Sequence, residues 1–225
     1  MESEMQVLEK LKPFVLISLI AICLAVQSNP VRAQATEILT VAGGCFWCVE
    51  SDFESVPGVI EAVSGYTGGK TQNPTYKDVT KGGTGHYEAV QITFDPAKVS
   101  RKRLLELFLR SVDPTDAGGQ FCDRGDSYRT AIFVSNLEEE ALAKEVKAEA
   151  EHALGQKIVT PVLAAQTFYK AEEYHQNYYK GDSLVFTRFG PKRQAAAYKR
   201  YRQACGRDAR VAQLWGDAAS FATGH

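Results

Sequence analysis

Beyond Met5 this 225-residue sequence contains no methionine, where an average composition would supply several. It also lacks a charge imbalance: 26 Lys and Arg against 27 Asp and Glu leave a formal net charge of -1. No global field favours nucleic acid or an anionic membrane, so neither is expected as a partner. No period of about 20 to 50 residues repeats, which excludes a solenoid. The one long apolar run, "PFVLISLIAICLAV", is about thirteen residues, short of the roughly 20 that a helix needs to cross hydrocarbon. A second close-spaced ligand pair to set beside Cys45 and Cys48 is missing as well, which argues against zinc.

What is present begins with a leader. Lys10 and Lys12 precede the apolar run, and Val31-Arg32-Ala33 places small residues at signal-peptidase spacing. Residues 1–33 are expected to be a cleavable signal peptide cut after Ala33, giving an exported, periplasmic protein. Ile22 before Cys23 argues against a lipoprotein. Residues 34–180 then read as the core and 181–225 as an aromatic, basic extension that wraps it. Apolar patterning marks strands at "TEILTVA", "VIEAVSGYTGG", "HYEAVQITFDP", "YRTAIFVS" and "VTPVLAAQTFYKA". Helices are expected at "CFWCVESDFESV", "SRKRLLELFLRSV" and "NLEEEALAKEVKAEAEHAL", and a long loop at "KTQNPTYKDVTKGGTGH". The alternation points to an α+β sandwich with a mixed sheet.

Four cysteines remain after the leader: Cys45, Cys48, Cys122 and Cys205. Cys45 falls at the first turn of a helix entered through Gly43-Gly44, where unpaired N–H groups and the dipole favour an anion. A stabilised, nucleophilic thiolate is expected there. Phe46 and Trp47 are either core residues or an apolar wall that would accept a methyl group. Glu88 alternates onto the same strand face as Val90, Ile92 and Phe94, which makes it a strand-end glutamate bent into water or a desolvated carboxyl able to donate a proton. His86 shares that face, as a structural histidine or a site residue. Cys48, three residues after Cys45, lies on the same helix face, within easy reach of a disulfide. Cys205, before Gly206 and amid Arg202, Arg207 and Arg210, suits a resolving thiol in a tail. Cys122 has no evident role.

The segments "GGCFWCVESDFESVPGVIEAVSGYTGG", "NPTY", "GHYEAV", "DRGDSYRTAIF" and "AEEYHQNYY" together resemble the A-type peptide methionine sulfoxide reductases, over roughly residues 43–179. The resemblance implies a ferredoxin-like two-layer α/β core and reduction of the S-epimer of methionine sulfoxide, free or in proteins, through a cysteine sulfenic acid and an intramolecular disulfide. It implies Cys45 as nucleophile, Phe46 and Trp47 around the S-methyl group, Glu88 as the acid, Tyr76 and Tyr128 as donors to the sulfoxide oxygen, and Asp123 on the substrate amide or a water. Cys205 and Cys48 would resolve, with Cys205 presented to the reductant. No cofactor or metal is implied; electrons come from a thioredoxin-like protein, and a monomer is expected. The sequence departs from the commonest pattern at Cys48, where many members have glycine. The competing readings are a thioredoxin-like oxidoreductase using Cys45 and Cys48, and a non-enzymatic metal-binding module.

Overall fold

The computed structural model describes residues 35–188 and 190–222. The expected leader and its cleavage point after Ala33 lie outside the described residues. Among the described residues no helix is long and apolar enough to cross a membrane.

The core is built from two interleaved β-α-β units. Strand β1 (Glu37–Gly43) leads through helix α1 (Phe46–Glu54) to β2 (Val59–Thr67); after helix α2 (Tyr76–Lys81), β3 (Tyr87–Phe94) leads through α3 (Arg101–Leu109) to β6 (Thr130–Val134). Between α3 and β6 lies a small hairpin of β4 (Gly119–Gln120) and β5 (Asp123–Arg124). β3 inserts between β1 and β2, and β1 between β3 and β6, all antiparallel. This is the ferredoxin-like order. Helix α4 (Leu137–Leu154) returns the chain to β7 (Val162–Ala164), which pairs parallel with β6, while β8 (Tyr169–Lys170) closes the far edge on β2. The finished sheet runs β7-β6-β1-β3-β2-β8 and is mixed, as expected.

Two expectations need correcting. The stretch read as one long loop contains α2, capped when Thr75 and Asp78 exchange side chain-to-backbone bonds in a capping box. Its apolar content is too slight to show helical periodicity, and only Val79 of its six residues is buried. The stretch read as a single fifth strand is two short strands on opposite edges of the sheet, β7 and β8, joined by a crossing segment. Apolar residues there pack without a continuous partner, so alternation alone overestimates the strand.

The period of two along the sheet separates its faces. Leu39, Val41, Val90, Ile92, Phe94, Ile132 and Val134 join the helix side chains in the main core. Ala42, Tyr87, Ala89, Ala131 and Phe133 form a second cluster. Glu88 therefore belongs to the main-core face, at the end of the row beginning with Phe94.

The extension is held by charge. After the hairpin of β9 (Leu184–Thr187) and β10 (Gly190–Arg193), α5 (Gln194–Cys205) and α6 (Arg207–Trp215) meet at Gly206, whose φ is 71°. Arg202 of α5 donates to Asp52 of α1 at 2.7 Å, with both side chains almost fully buried. It also bonds Asp208 at 2.7 Å and the Tyr198 hydroxyl at 3.0 Å. Removing one partner from a buried pair costs far more than the pair contributes, because the other charge stays desolvated. We expect Arg202→Met to destabilise the protein by about 3 kcal/mol, read by chemical denaturation, with the extension becoming the first site of proteolysis. An unchanged midpoint would show that the extension is fastened by its apolar contacts alone.

Candidate active site

The turn from β1 into α1 sets the site. Gly44 has φ +80°, and a Cβ there would fall 2.5 Å from Cβ of Gln120, so only glycine fits. Gln120 is itself fully buried and locked to the backbone of Asp113 by bonds of 2.9 and 2.8 Å. Cys45 follows as the N-cap of α1, and the N–H of Phe46, unpaired within the helix, donates to Oε2 of Glu88 at 3.1 Å. One helix terminus thus brings the cysteine and the strand carboxyl together.

Around them closes a cavity of about 70 Å³ lined by Cys45, Phe46, Trp47, Tyr76, Glu88, Asp123, Tyr128 and Tyr201. Every catalytic and substrate-binding residue expected from the sequence is on this list. Larger surface hollows of about 380 and 420 Å³ are walled mainly by charged and polar side chains and contain no cysteine. Phe46 is 1% exposed in the main core and also forms one wall of the cavity.

Burial pushes the Glu88 carboxyl up to about 8; the Phe46 N–H opposes the shift, and Asp123 and Cys48 add to it. Near neutral pH it is a carboxylic acid with a proton to give. The Tyr76 and Tyr128 phenols are also raised, first by burial and then by Glu88, so both remain O–H donors. Asp123 is raised by burial, against a hydrogen bond from the Tyr201 hydroxyl and the charge of Arg207.

Cys45 departs from expectation. Burial raises its thiol well above the ordinary value, and a hydrogen bond to Cys48 and the nearby Cys48, Glu88 and Asp123 charges push the same way. The helix terminus that was to stabilise a thiolate directs its first N–H to Glu88 instead. Cys48 moves in the opposite direction, lowered by the hydrogen bond from Cys45 and then, against burial, by Arg207 and Arg202. Of the two buried thiols, Cys48 is therefore the more acidic and Cys45 the one that holds its proton more tightly.

Sequence reasoning missed the aromatic surround. Tyr178 stacks on Trp47, with centroids 3.8 Å apart and planes at 6°, and the indole N–H donates to Nδ1 of His175 at 3.2 Å. That bond fixes the proton of His175 on Nε2, and burial lowers this histidine to about 4, so it stays neutral. Glu50, buried within α1, accepts from the Ser64 hydroxyl and the Asn177 N–H and so anchors the segment carrying Tyr178. Glu50 and Asp52, acidic residues on a helix otherwise patterned for the core, were the available signal. His86 is not part of the site: it accepts from Gly69 N–H at 3.2 Å and bonds the Thr71 carbonyl at 2.7 Å.

Cys205 also differs. It is joined by a disulfide to Cys122, the cysteine with no evident role in the sequence, with Cα atoms 4.9 Å apart. Cys45 and Cys48 are free thiols. Among the described residues the one trio of close metal-ligand types is Cys122, Asp123 and Cys205, and the disulfide occupies both of its sulfurs.

Residues 37–215 match the family described as "Peptide methionine sulfoxide reductase". The chain is 49% identical over 196 residues to peptide methionine sulfoxide reductase MsrA 2 of Rhizobium meliloti, covering 87% of this chain and 92% of that one. It is 48% identical over 204 residues to the MsrA 2 of Caulobacter vibrioides, covering 89% and 98%. Among solved structures, methionine sulfoxide reductase A of Corynebacterium diphtheriae superposes with a TM-score of 0.58 at 30% identity, over 67% of this chain and 75% of that one. Reduced Mxr1 from Saccharomyces cerevisiae gives a TM-score of 0.62 at 28% identity, over 68% and 88%. With an acid, two phenols and a cysteine converging on one cavity, and a match that spans the whole ferredoxin-like core and most of the extension, the chain belongs to the peptide methionine sulfoxide reductase family.

Proposed function

We propose that this protein reduces the S-epimer of methionine sulfoxide, free or within oxidised proteins, to methionine. The observation that carries the reading is the buried Glu88, neutral near pH 7, held against the helix turn that presents Cys45. A sulfoxide oxygen leaves only once protonated, so nucleophile and acid must meet on adjacent atoms. The Cys45 sulfur attacks the sulfoxide sulfur, Glu88 protonates the oxygen, and the Tyr76 and Tyr128 hydroxyls donate to it. Phe46 and Trp47 take the S-methyl group, and Asp123 binds the substrate amide or a water. Cys48, the more acidic of the pair, reacts as its thiolate and takes the Cys45 proton through the hydrogen bond between them, becoming a thiol. The oxygen ends on Cys45 as a sulfenic acid; Cys48 condenses with it, releasing water and forming a disulfide. A thioredoxin-like dithiol restores the thiols. Simple dithiol exchange would give Glu88 nothing to do, which favours the reductase reading over an oxidoreductase of protein disulfides. An exported, periplasmic site of action belongs to the same proposal, resting on the apolar run and Val31-Arg32-Ala33.

The test is turnover of the separated epimers of a blocked methionine sulfoxide with dithiothreitol. Turnover of the S-epimer with the R-epimer inert is expected; equal rates on both would overturn the stereochemical assignment, and no turnover of either would overturn the reaction.

A further inference from the structure

We propose that Arg207 is a positioning residue for the reaction: from the C-terminal extension its guanidinium holds the turn that presents Cys45 and sets a positive charge against Cys48. The inference rests on the reductase reading above and names what prepares its two thiols. Arg207 opens α6, directly after the joint at Gly206, and is 2% exposed. A buried arginine keeps its proton, so its charge must be met inside the fold. Nη1 donates to the Gly43 carbonyl at 3.1 Å, and the guanidinium carbon lies 4.9 Å from the centre of the Phe121 ring. Nη2 stands 3.8 Å from Oδ2 of Asp52, beyond hydrogen-bond distance, and among the described residues Nε and Nη2 find no acceptor.

The guanidinium therefore spans from the last residue of β1 to Asp52 of α1. Cys48 and Asp52 are four residues apart on that helix and share a face, so the charge lies alongside Cys48. Asp52 does not cancel it, because its Oδ1 is taken by Arg202 at 2.7 Å. The buried trio of Arg202, Arg207 and Asp52 thus holds two cations against one carboxylate, and a thiolate on Cys48 supplies the missing negative charge. Accordingly the Cys48 thiol is lowered, after the hydrogen bond from Cys45, by Arg207 and then by Arg202.

The other groups around the pair bring no competing charge near neutral pH. Glu88 keeps its proton, and the phenols of Tyr178, Tyr179, Tyr198 and Tyr201 are raised by burial. Asp123, which feels the Arg207 charge too, lines the cavity with Cys45 and is already bonded by the Tyr201 hydroxyl. Since the Cys48 thiolate takes the Cys45 proton, its population sets how fast the first turnover runs on the acid side.

The test is that rate against pH. Full-length protein is reduced, freed of reductant and mixed with excess blocked methionine S-sulfoxide, and methionine is measured by rapid quench for wild type, Arg207→Gln and Arg207→Lys. Glutamine keeps a donor for the Gly43 carbonyl and drops the charge; lysine keeps the charge and drops the planar fork. The acid limb, where Cys48 becomes a thiolate, is expected to move up by about one pH unit in Arg207→Gln, slowing the first turnover about tenfold on that side. Arg207→Lys should bring the limb back toward its wild-type position, and the alkaline limb set by Glu88 should stay in place throughout. Equal slowing of both variants at every pH, with the acid limb unmoved, overturns the role and leaves Arg207 a structural anchor. Should Arg207→Gln fail to fold, Asp208→Asn carries the test: it withdraws a carboxylate from Arg202, so the acid limb should move down, and an unmoved limb overturns the role equally. No methionine from the wild type at any pH overturns the reductase reading, and this role with it.

Discussion

Cys45→Ser is expected to yield no methionine even in a single turnover, whereas Cys48→Ser yields at least one per chain before stalling without reductant. The electrostatics of the pair, taken alone, would choose the other cysteine. Burial raises the Cys45 thiol, while the hydrogen bond from Cys45 and then Arg207 and Arg202 lower that of Cys48. Thiolate character is only half of what a nucleophile needs. Position is the other half, and Cys45 lines the cavity with Glu88, Tyr76 and Tyr128 while Cys48 does not. Cys48 lies behind it, against Tyr198 and the buried arginines, where it can take a proton from Cys45 and later attack its sulfenic acid. Serine at 48 keeps a hydrogen-bond partner for Cys45 but loses the acidic thiol whose thiolate takes its proton, so the first turnover slows while its yield is kept. Rapid-quench measurement of methionine against enzyme concentration separates the two. A full equivalent from Cys45→Ser would move the nucleophile to Cys48; none from Cys48→Ser would make the two thiols inseparable in the first step.

The sequence disclosed this site unevenly, for physical reasons. Strand alternation placed Glu88 on the core face correctly, because a period of two leaves no freedom once Val90, Ile92 and Phe94 are buried. The Gly43-Gly44 turn before the helix was legible for the same kind of reason: no other residue tolerates the conformation at 44. What local pattern cannot show is which distant group satisfies a helix terminus. The first N–H of α1 faces Glu88, 42 residues away, and burial raises the Cys45 thiol where the helix terminus was expected to lower it. The Cys122–Cys205 bond spans 83 residues and was invisible for the same reason. The extension reads as a loose basic tail, yet Arg202 and Arg207 are among its most buried residues, since their partners Asp52 and the Gly43 carbonyl belong to the core. A long-range ion pair has no sequence period.

Glu88→Gln is expected to lower turnover by about 10²- to 10⁴-fold, the usual contribution of a positioned general acid, with KM changed far less. The glutamine amide fills the same space, and its carbonyl can still accept from the Phe46 N–H, so the helix turn and the cavity survive. Only the transferable proton is lost. Because the carboxyl is raised to about 8, wild-type turnover should fall as pH rises through that value, and the variant should lose this limb. Stability supplies an independent check, in which the variant gains where it loses activity. A carboxyl whose folded value lies above its unfolded value binds more protons folded than unfolded between about 4.5 and 8, so the wild type loses stability as pH rises through that window. The slope is about 1.4 kcal/mol per pH unit, and glutamine does not titrate. Thermal or denaturant midpoints for the two proteins should therefore diverge steadily from pH 5 to pH 8, the variant becoming the more stable as it stays the less active. Parallel midpoints across that range would mean that Glu88 is ionised in the folded protein, and the acid would then have to be sought in Tyr76 or Tyr128.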